Sequence, residues 1–239
     1  MGEQENEMIG RRRMLLAGIS GSVLSAAWLM GILRPVLAAV SAEPSVSRDQ
    51  ALQQLLDGNQ RYVRNDAKHP DQRPTADDQH PIAALLSCSD SRVPPEIIFD
   101  QGVGSIFVTR VAGNTYNNLV LESLAYAITN LGVRLIVVMG HDQCGAVKAA
   151  IKEYPERLAG VMLKNIYPAV REAKGMRGDL LSNAINANAE LMAKKLAAEA
   201  PFEPLIESGQ LKIIAARYAL ASGRVTLLPD AGSAGDKDV

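Results

Sequence analysis

The sequence predicts an α/β fold with a mostly parallel central β-sheet flanked by helices. Five short apolar runs recur along the chain, and stretches with the apolar periodicity of helices separate most of them. The runs are almost continuously apolar, as expected for strands that are buried on both faces of a parallel sheet. With 239 residues and 47% hydrophobic content, the chain is long enough to bury a full core without disulfide bonds.

The predicted elements begin with a helix after Ser47. Ser47 and Gln50 have the spacing of a capping box, and leucines recur at helical intervals behind them. Strands are predicted for residues 82–86, 106–109, 135–139, 213–215 and 225–228. Further helices are predicted for residues 119–131, 145–152 and 181–198. This alternation of strands and helices indicates βαβ units.

Composition excludes several classes of protein. The 25 lysines and arginines nearly balance the 26 aspartates and glutamates, and a net charge of −1 argues against a nucleic-acid-binding domain. Two cysteines cannot form the disulfide framework of a small secreted fold. Aromatic residues make up only 4% of the chain, which disfavours surfaces that bind sugars or bases by stacking.

Residues 1–42 are predicted to be an export signal with its cleavage region. Three arginines at residues 11–13 precede an apolar run that ends near Leu33, and Ala38 offers a small residue for a signal peptidase. The arginine pair resembles a twin-arginine signal, which sends folded proteins across a bacterial inner membrane. We therefore expect a periplasmic or otherwise exported protein. The alternative is a protein anchored in the inner membrane by an uncleaved N-terminal helix.

Three soft ligands lie at the predicted carboxyl ends of two strands, where parallel sheets collect their chemistry. Cys88 follows the first strand, and His141 and Cys144 follow the third. Two thiolates and one imidazole favour zinc, and three protein ligands leave a fourth position open for water. The step from His141 to Cys144 is one helical turn, and Gly140 and Gly145 should let the backbone turn around the ion. The sequence predicts one Zn²⁺ per chain.

Asp90 and Arg92 come directly after the first of these ligands. They could form a surface ion pair, which contributes little to stability. Beside a dication, however, a carboxylate either becomes a ligand or is held away from the metal, and the fork of an arginine can hold it. Asp90 paired with Arg92 would leave the zinc open to water, whereas Asp90 on the metal would close the site.

These motifs together resemble the signature of the β-class carbonic anhydrases. Cys-x-Asp-Ser-Arg stands at residues 88–92 and Gly-His-x-x-Cys-Gly at residues 140–145. Residues 110–114 also look like a loop of that family, and the similarity extends from about residue 47 to residue 228. The resemblance implies the β-carbonic-anhydrase fold and an enzyme, a zinc lyase, that reversibly hydrates carbon dioxide to bicarbonate and a proton.

The resemblance also implies roles for individual residues. Cys88, His141 and Cys144 match the zinc ligands of the family. Asp90 and Arg92 match its catalytic pair, with Asp90 as a fourth zinc ligand in a closed state.

The substrate pocket is implied by three further positions. Gln79 matches a glutamine whose amide donates a hydrogen bond to the substrate, with a solvated loop residue as the alternative. Phe107 and Tyr126 match apolar residues of the pocket, with ordinary core packing as the alternative. In the family such residues come partly from a neighbouring subunit, so the resemblance implies a homodimer or a higher homo-oligomer.

The predicted organisation is one zinc-dependent catalytic domain at residues 43–229, followed by a disordered tail at residues 230–239. The expected partner is a small-molecule substrate, with no nucleic acid and with membrane contact only through the N-terminal signal. Two other functions stay open at this point. One is hydrolysis of CS2 or COS on the same zinc site, and the other is a non-catalytic zinc-binding scaffold.

Overall fold

The computed structural model describes residues 43–68, 78–153 and 160–229. The predicted export signal and the predicted disordered tail lie outside the described residues and stay predictions. In the described part of the chain, no helix has the length and hydropathy needed to span a membrane.

Five strands form one sheet with the spatial order β2-β1-β3-β4-β5. Strands β1 to β4 pair in parallel, and β5 pairs antiparallel to β4. The predicted mostly parallel sheet is confirmed, with each strand displaced or extended by no more than a few residues. The strands are β1 Ala83–Ser87, β2 Ile106–Arg110, β3 Leu135–His141, β4 Lys212–Tyr218 and β5 Val225–Leu227.

Helices connect and cover these strands. The first one begins as the sequence predicts, because the Ser47 hydroxyl accepts from the Gln50 backbone N–H at 3.2 Å and the Gln50 side chain accepts from the Ser47 N–H at 3.0 Å. The helices of the described residues are α1 Arg48–Val63, α2 Pro95–Ile98, α3 Asn118–Thr129, α4 Gly145–Glu153, α5 Val161–Ala173, α6 Leu180–Ala197 and α7 Glu203–Glu207, with a short 3₁₀ turn at Ala112–Asn114.

Helix α5 is the largest element that the sequence does not predict. Pro168 lies inside it, and a proline lacks the N–H that continues the helical hydrogen-bond ladder. The helix persists because one of its faces is buried: Leu163, Ile166 and Val170 pack in a cluster with the first residues of α4. Tertiary packing here outweighs the local cost of the proline.

Apolar side chains cover both faces of the sheet. Along β1 and β3 every residue is buried, and alternate side chains point to opposite faces. Leu86 and Ile136 pack beneath α3 and α6, whereas Leu85 and Val137 pack against Leu55 of α1 on the other face. This burial on two faces explains the continuous apolar runs in the sequence.

The strand register determines where the polar residues meet. Ser87 at the end of β1 lies opposite Met139 of β3, so that Cys88 emerges beside the end of β3. On the other side of β3, Gly140 lies opposite Arg217 and His141 lies opposite Tyr218 of β4. The carboxyl ends of three parallel strands therefore meet at one edge of the sheet.

Candidate functional site

Three buried side chains converge at that edge. Cys88 follows β1, His141 is the last residue of β3, and Cys144 directly precedes α4. Their ligand atoms all lie within 4.8 Å of one another, and the two Sγ atoms are 4.0 Å apart. The structure thus brings together the three residues that the sequence predicts as metal ligands.

The imidazole of His141 presents one nitrogen to this cluster. Its Nδ1 lies 2.8 Å from the backbone carbonyl oxygen of Asp142, and because a carbonyl can only accept, Nδ1 carries the proton. The opposite nitrogen, Nε2, is then an acceptor, and it is buried without a hydrogen-bond partner among the described residues. A buried nitrogen with a free lone pair is what a metal ligand requires.

The two buried thiols have pKa values that are shifted in opposite directions. Cys88 Sγ accepts from the Gly113 backbone N–H at 3.3 Å, and it lies 4.0 Å from Cys144 Sγ, where either thiol could donate to the other. The hydrogen bond between the two thiols lowers the pKa of Cys88. The same hydrogen bond, together with burial, raises the pKa of Cys144. Backbone N–H groups in the first turn of α4 face Cys144 and favour its thiolate. A bound dication would favour the doubly ionised pair.

The donor set fits a zinc ion. Two buried cysteines and one histidine nitrogen form the soft, borderline set that selects zinc over harder cations. Three protein ligands leave a fourth coordination position, which is the arrangement of catalytic rather than structural zinc sites. These residues could therefore hold the metal that the sequence predicts.

The turn that joins the last two ligands differs from the prediction. His141 still belongs to β3, and the left-handed residue in the turn is Gln143, with φ of 57°. The expectation that two glycines form the turn is wrong. Gly140 lies in the strand, where an added Cβ would come within 3.3 Å of Ile185 on α6, and Gly145 begins α4 without a positive φ.

Asp90 and Arg92 form a bidentate ion pair next to the cluster. The guanidinium donates from Nε to Oδ1 at 2.9 Å and from Nη2 to Oδ2 at 2.8 Å, and the Arg92 backbone N–H donates to Oδ1 at 3.0 Å. These hydrogen bonds hold the pKa of Asp90 well below its usual range. Oδ2 of Asp90 lies 3.9 Å from His141 Nε2, so the carboxylate is near the ligand atoms while Arg92 occupies both its oxygens.

Arg110 is a site residue whose role the sequence does not reveal. It ends β2 opposite Ser87, and its guanidinium donates from Nε to the Cys88 carbonyl at 3.0 Å and from Nη2 to the Asp90 carbonyl at 2.5 Å. One side chain thereby fixes the backbone of both the ligand and the carboxylate. The resemblance of residues 110–114 to a loop of the family is the signal that points to this position, although not to these contacts.

Two of the three predicted substrate residues contact each other. Gln79 is exposed in the segment that leads into β1. Phe107 on β2 and Tyr126 on α3 pack against each other, with ring centroids 6.4 Å apart and an angle of 42° between the planes. Phe107 is partly buried against the core, whereas Tyr126 is 47% exposed.

Comparisons with known proteins point to one family. A sequence model described as carbonic anhydrase matches residues 83–225. Carbonic anhydrase 2 of Mycobacterium tuberculosis is 36% identical over 205 residues, which cover 81% of this chain and 99% of that protein. A carbonic anhydrase of Mycolicibacterium smegmatis is 36% identical over 206 residues, with the same coverage of 81% and 99%. A tetrameric β-carbonic anhydrase from Sordaria macrospora shares the fold, with a TM-score of 0.58 at 23% identity over 75% of this chain and 97% of that one.

Proposed function

Because the chain belongs to the β-class carbonic anhydrase family and is an enzyme of that family, we propose that it catalyses the reversible hydration of carbon dioxide at zinc. The products are bicarbonate and a proton. The observation that carries the proposal is the buried cluster of Cys88, His141 and Cys144 beside the Asp90–Arg92 ion pair.

The proposed cofactor is one Zn²⁺ per chain, held by the two thiolates and by Nε2 of the imidazole. When bound, zinc would lower the pKa of a water molecule and so supply a nucleophile for the carbon of CO2, and the two thiolates, which cancel the formal charge of the ion, should make this lowering smaller than three neutral imidazoles would. The support for zinc comes from the donor set, from its burial and from Nε2, for which the described part of the chain offers no hydrogen-bond partner.

The proposed role of Asp90 is to accept a hydrogen bond from the nucleophilic oxygen and to aim its lone pair at carbon. For this role the carboxylate must be ionised and must not bind the metal. Arg92 meets both conditions, because its two hydrogen bonds keep the pKa of Asp90 low and occupy both carboxylate oxygens. If Asp90 turned away from Arg92, it could become a fourth ligand and close the site.

The proposed substrate pocket combines one amide with apolar rings. The Gln79 side chain would donate a hydrogen bond to an oxygen of CO2 and thereby position it. Phe107 and Tyr126 would supply an apolar wall, which suits a substrate without net charge or dipole. Because Gln79 and much of Tyr126 are exposed in the single chain, we propose that a neighbouring subunit completes this pocket.

The surface beside β2, the outermost strand on one side of the sheet, and the neighbouring helix α3 supports such an assembly. Leu119 and Tyr126 lie seven residues apart on α3, and they are 72% and 47% exposed. Residues at this spacing share one face of a helix, and exposed apolar side chains beside an edge strand are typical of subunit interfaces. We therefore propose a homodimer or a higher homo-oligomer, and the Sordaria macrospora enzymes of this fold are tetrameric.

Export to the periplasm remains part of the proposal. Its support is the run of three arginines at residues 11–13 before an apolar segment. A twin-arginine route would let the protein cross the membrane already folded, so that its thiolates would be covered by metal before they met an oxidising compartment. The alternative is an inner-membrane anchor formed by an uncleaved N-terminal helix.

Substrate choice is tested by one comparison on purified, zinc-assayed protein. CO2 hydration is measured by stopped flow, and hydrolysis of CS2 and of COS is measured on the same preparation. The proposal expects CO2 hydration to have the highest kcat/KM of the three. A higher kcat/KM for CS2 or COS would assign the site to that hydrolysis, and no turnover of any of the three would indicate a zinc-binding scaffold.

A further inference from the structure

Arg217 on β4 lies on the far side of β3 from Asp90 and Arg92, and the mechanism above does not use it. Its guanidinium binds the carboxylate of Asp142, with Nε 2.7 Å and Nη2 2.6 Å from Oδ1. Asp142 directly follows the metal ligand His141 in the chain. The ion pair therefore holds the first residue of the turn between His141 and Cys144.

The main chain of Asp142 is held as well. Its N–H donates to the backbone carbonyl of Tyr218 at 2.9 Å, which extends the β3–β4 ladder by one residue. Its own carbonyl accepts from His141 Nδ1 at 2.8 Å. Asp142 thus contacts β4 through its side chain and its backbone N–H, and it contacts the imidazole of His141 through its backbone carbonyl.

The guanidinium of Arg217 also binds two side chains of another element. Nη1 donates to the Ser182 hydroxyl at 2.5 Å and to the Asn186 amide oxygen at 3.1 Å, and both residues belong to α6. Five fixed N–H donors in one plane allow a single arginine to reach all three side chains. The turn after β3 is consequently tied to β4 and α6 at the same point.

We propose that Arg217 is a positioning residue for the metal ligand His141. By fixing Asp142, it sets the carbonyl that accepts from Nδ1, and this hydrogen bond determines both the orientation of the ring and the nitrogen that carries the proton. Nε2 is thereby presented to the metal with its lone pair free. The inference rests on the proposed function insofar as that metal is zinc. Partners of this kind orient metal-ligating histidines in general.

A purely structural role for Arg217 makes a different prediction. If Arg217 only connected β4 to α6, it would stabilise the whole fold, and its loss would lower the melting temperature without a specific effect on His141. A positioning role predicts a change at His141 itself. The two roles are separated by the zinc affinity of the folded protein and by the protonation of the two ring nitrogens.

The experiment compares the full-length wild type with Arg217→Met and Asp142→Asn. Zinc affinity is measured by competition with a chromophoric chelator, and we expect both variants to bind zinc about 10-fold to about 100-fold more weakly. Nitrogen NMR of the histidine rings is recorded on the proteins as purified. The chain has three histidines, and a His141→Gln variant assigns the relevant signal. The wild type should show Nδ1–H at His141, and the variants should lose this single form.

Two further variants make the result specific. Arg217→Lys keeps the charge but cannot reach three partners, so it should recover only part of the zinc affinity. Arg61→Met removes a comparable ion pair between α1 and Asp100, which follows α2, in which Nε lies 2.6 Å from Asp100 Oδ2 and the arginine side chain is similarly covered. It should lower the melting temperature and leave zinc affinity unchanged. If Arg217→Met does not fold, Arg217→Lys and Asp142→Asn carry the comparison.

The outcomes separate this inference from the proposed function. Wild-type zinc affinity in Arg217→Met together with an unchanged His141 spectrum overturns the positioning role and leaves the zinc enzyme intact. A wild type that binds no zinc overturns the proposed function. The ring-nitrogen spectra of the same proteins then still decide whether Arg217 sets the His141 hydrogen bond.

Discussion

Both carboxylate oxygens of Asp90 accept hydrogen bonds from the guanidinium of Arg92, at 2.9 Å and 2.8 Å. The carboxylate lies 3.9 Å from the free nitrogen of His141, which is close enough to compete for a metal after a small rotation. Arg92 is the cation that the structure places directly on this carboxylate. The pair therefore determines whether Asp90 serves the reaction or becomes a ligand.

Replacing Arg92 by alanine should separate catalysis from metal binding. The freed carboxylate is expected to bind the metal, so zinc content should stay near one per chain while CO2 hydration falls by roughly 100-fold or more, the scale of losing a positioned acid–base partner. Elemental analysis and stopped-flow assays measure the two quantities. Arg171→Ala, which removes an exposed arginine of α5, is the control. Near-wild-type hydration by Arg92→Ala at full zinc content would reduce Asp90–Arg92 to a structural pair.

Asp90→Asn should slow the reaction by a similar factor at every pH of the assay. Arg92 holds the pKa of Asp90 well below its usual range, so this group is already ionised throughout the neutral and alkaline range and contributes no inflection there. The pH profiles of kcat/KM for the wild type and the variant should therefore be parallel. A profile that loses an inflection in the variant would show that Asp90 titrates in the assay range, contrary to this account.

The Arg92→Ala, Asp90→Asn double variant should be no worse than the poorer single variant.

Cys144→Ser should remove most of the zinc, because a neutral hydroxyl replaces a thiolate ligand. The melting temperature should fall in zinc-containing buffer, since a ligand bound only to the native state stabilises it by mass action. With a chelator present, the difference from the wild type should shrink. Ser91→Ala, close to the site but outside the donor set, should keep full zinc. One zinc per chain in Cys144→Ser would remove this residue from the ligand set.

Export should depend on the arginines at residues 11–13. Changing all three to lysine keeps the positive charge but removes the arginine pair, so the precursor should accumulate in the cytoplasm. Cell fractionation and the size of the protein on a gel measure this, and Arg48→Lys, in the catalytic domain, is the control. Periplasmic material at the wild-type level would contradict the twin-arginine route.

Much of the fold could be predicted from the sequence because local pattern and burial agree there. The capping residues Ser47 and Gln50 and the continuous apolar runs each carry their own signal, and the order of strands places Cys88 and His141 at one edge. Helix α5 carries the opposite local signal at Pro168 and forms because of long-range packing. Such packing is not visible in a single sequence.

The site, like the fold, could be predicted from the sequence only in part. Ligand types and spacings predict the cluster, but the contacts that hold it come from distant parts of the chain. Arg110 reaches the Cys88 carbonyl from another strand, and Arg217 reaches Asp142 from a strand far along the sequence. Gln143 adopts a positive φ although its residue type does not signal one, so the sequence, which offers two glycines close by, does not reveal where the turn becomes left-handed.

The central claim is tested most directly by stopped-flow CO2 hydration on protein of known zinc content. The wild type with one zinc per chain should hydrate CO2, should lose this activity when a chelator removes the metal, and should recover it when one equivalent of zinc is returned. Hydration that persists after the zinc has been removed, or fully zinc-loaded protein that does not accelerate hydration, would contradict the account.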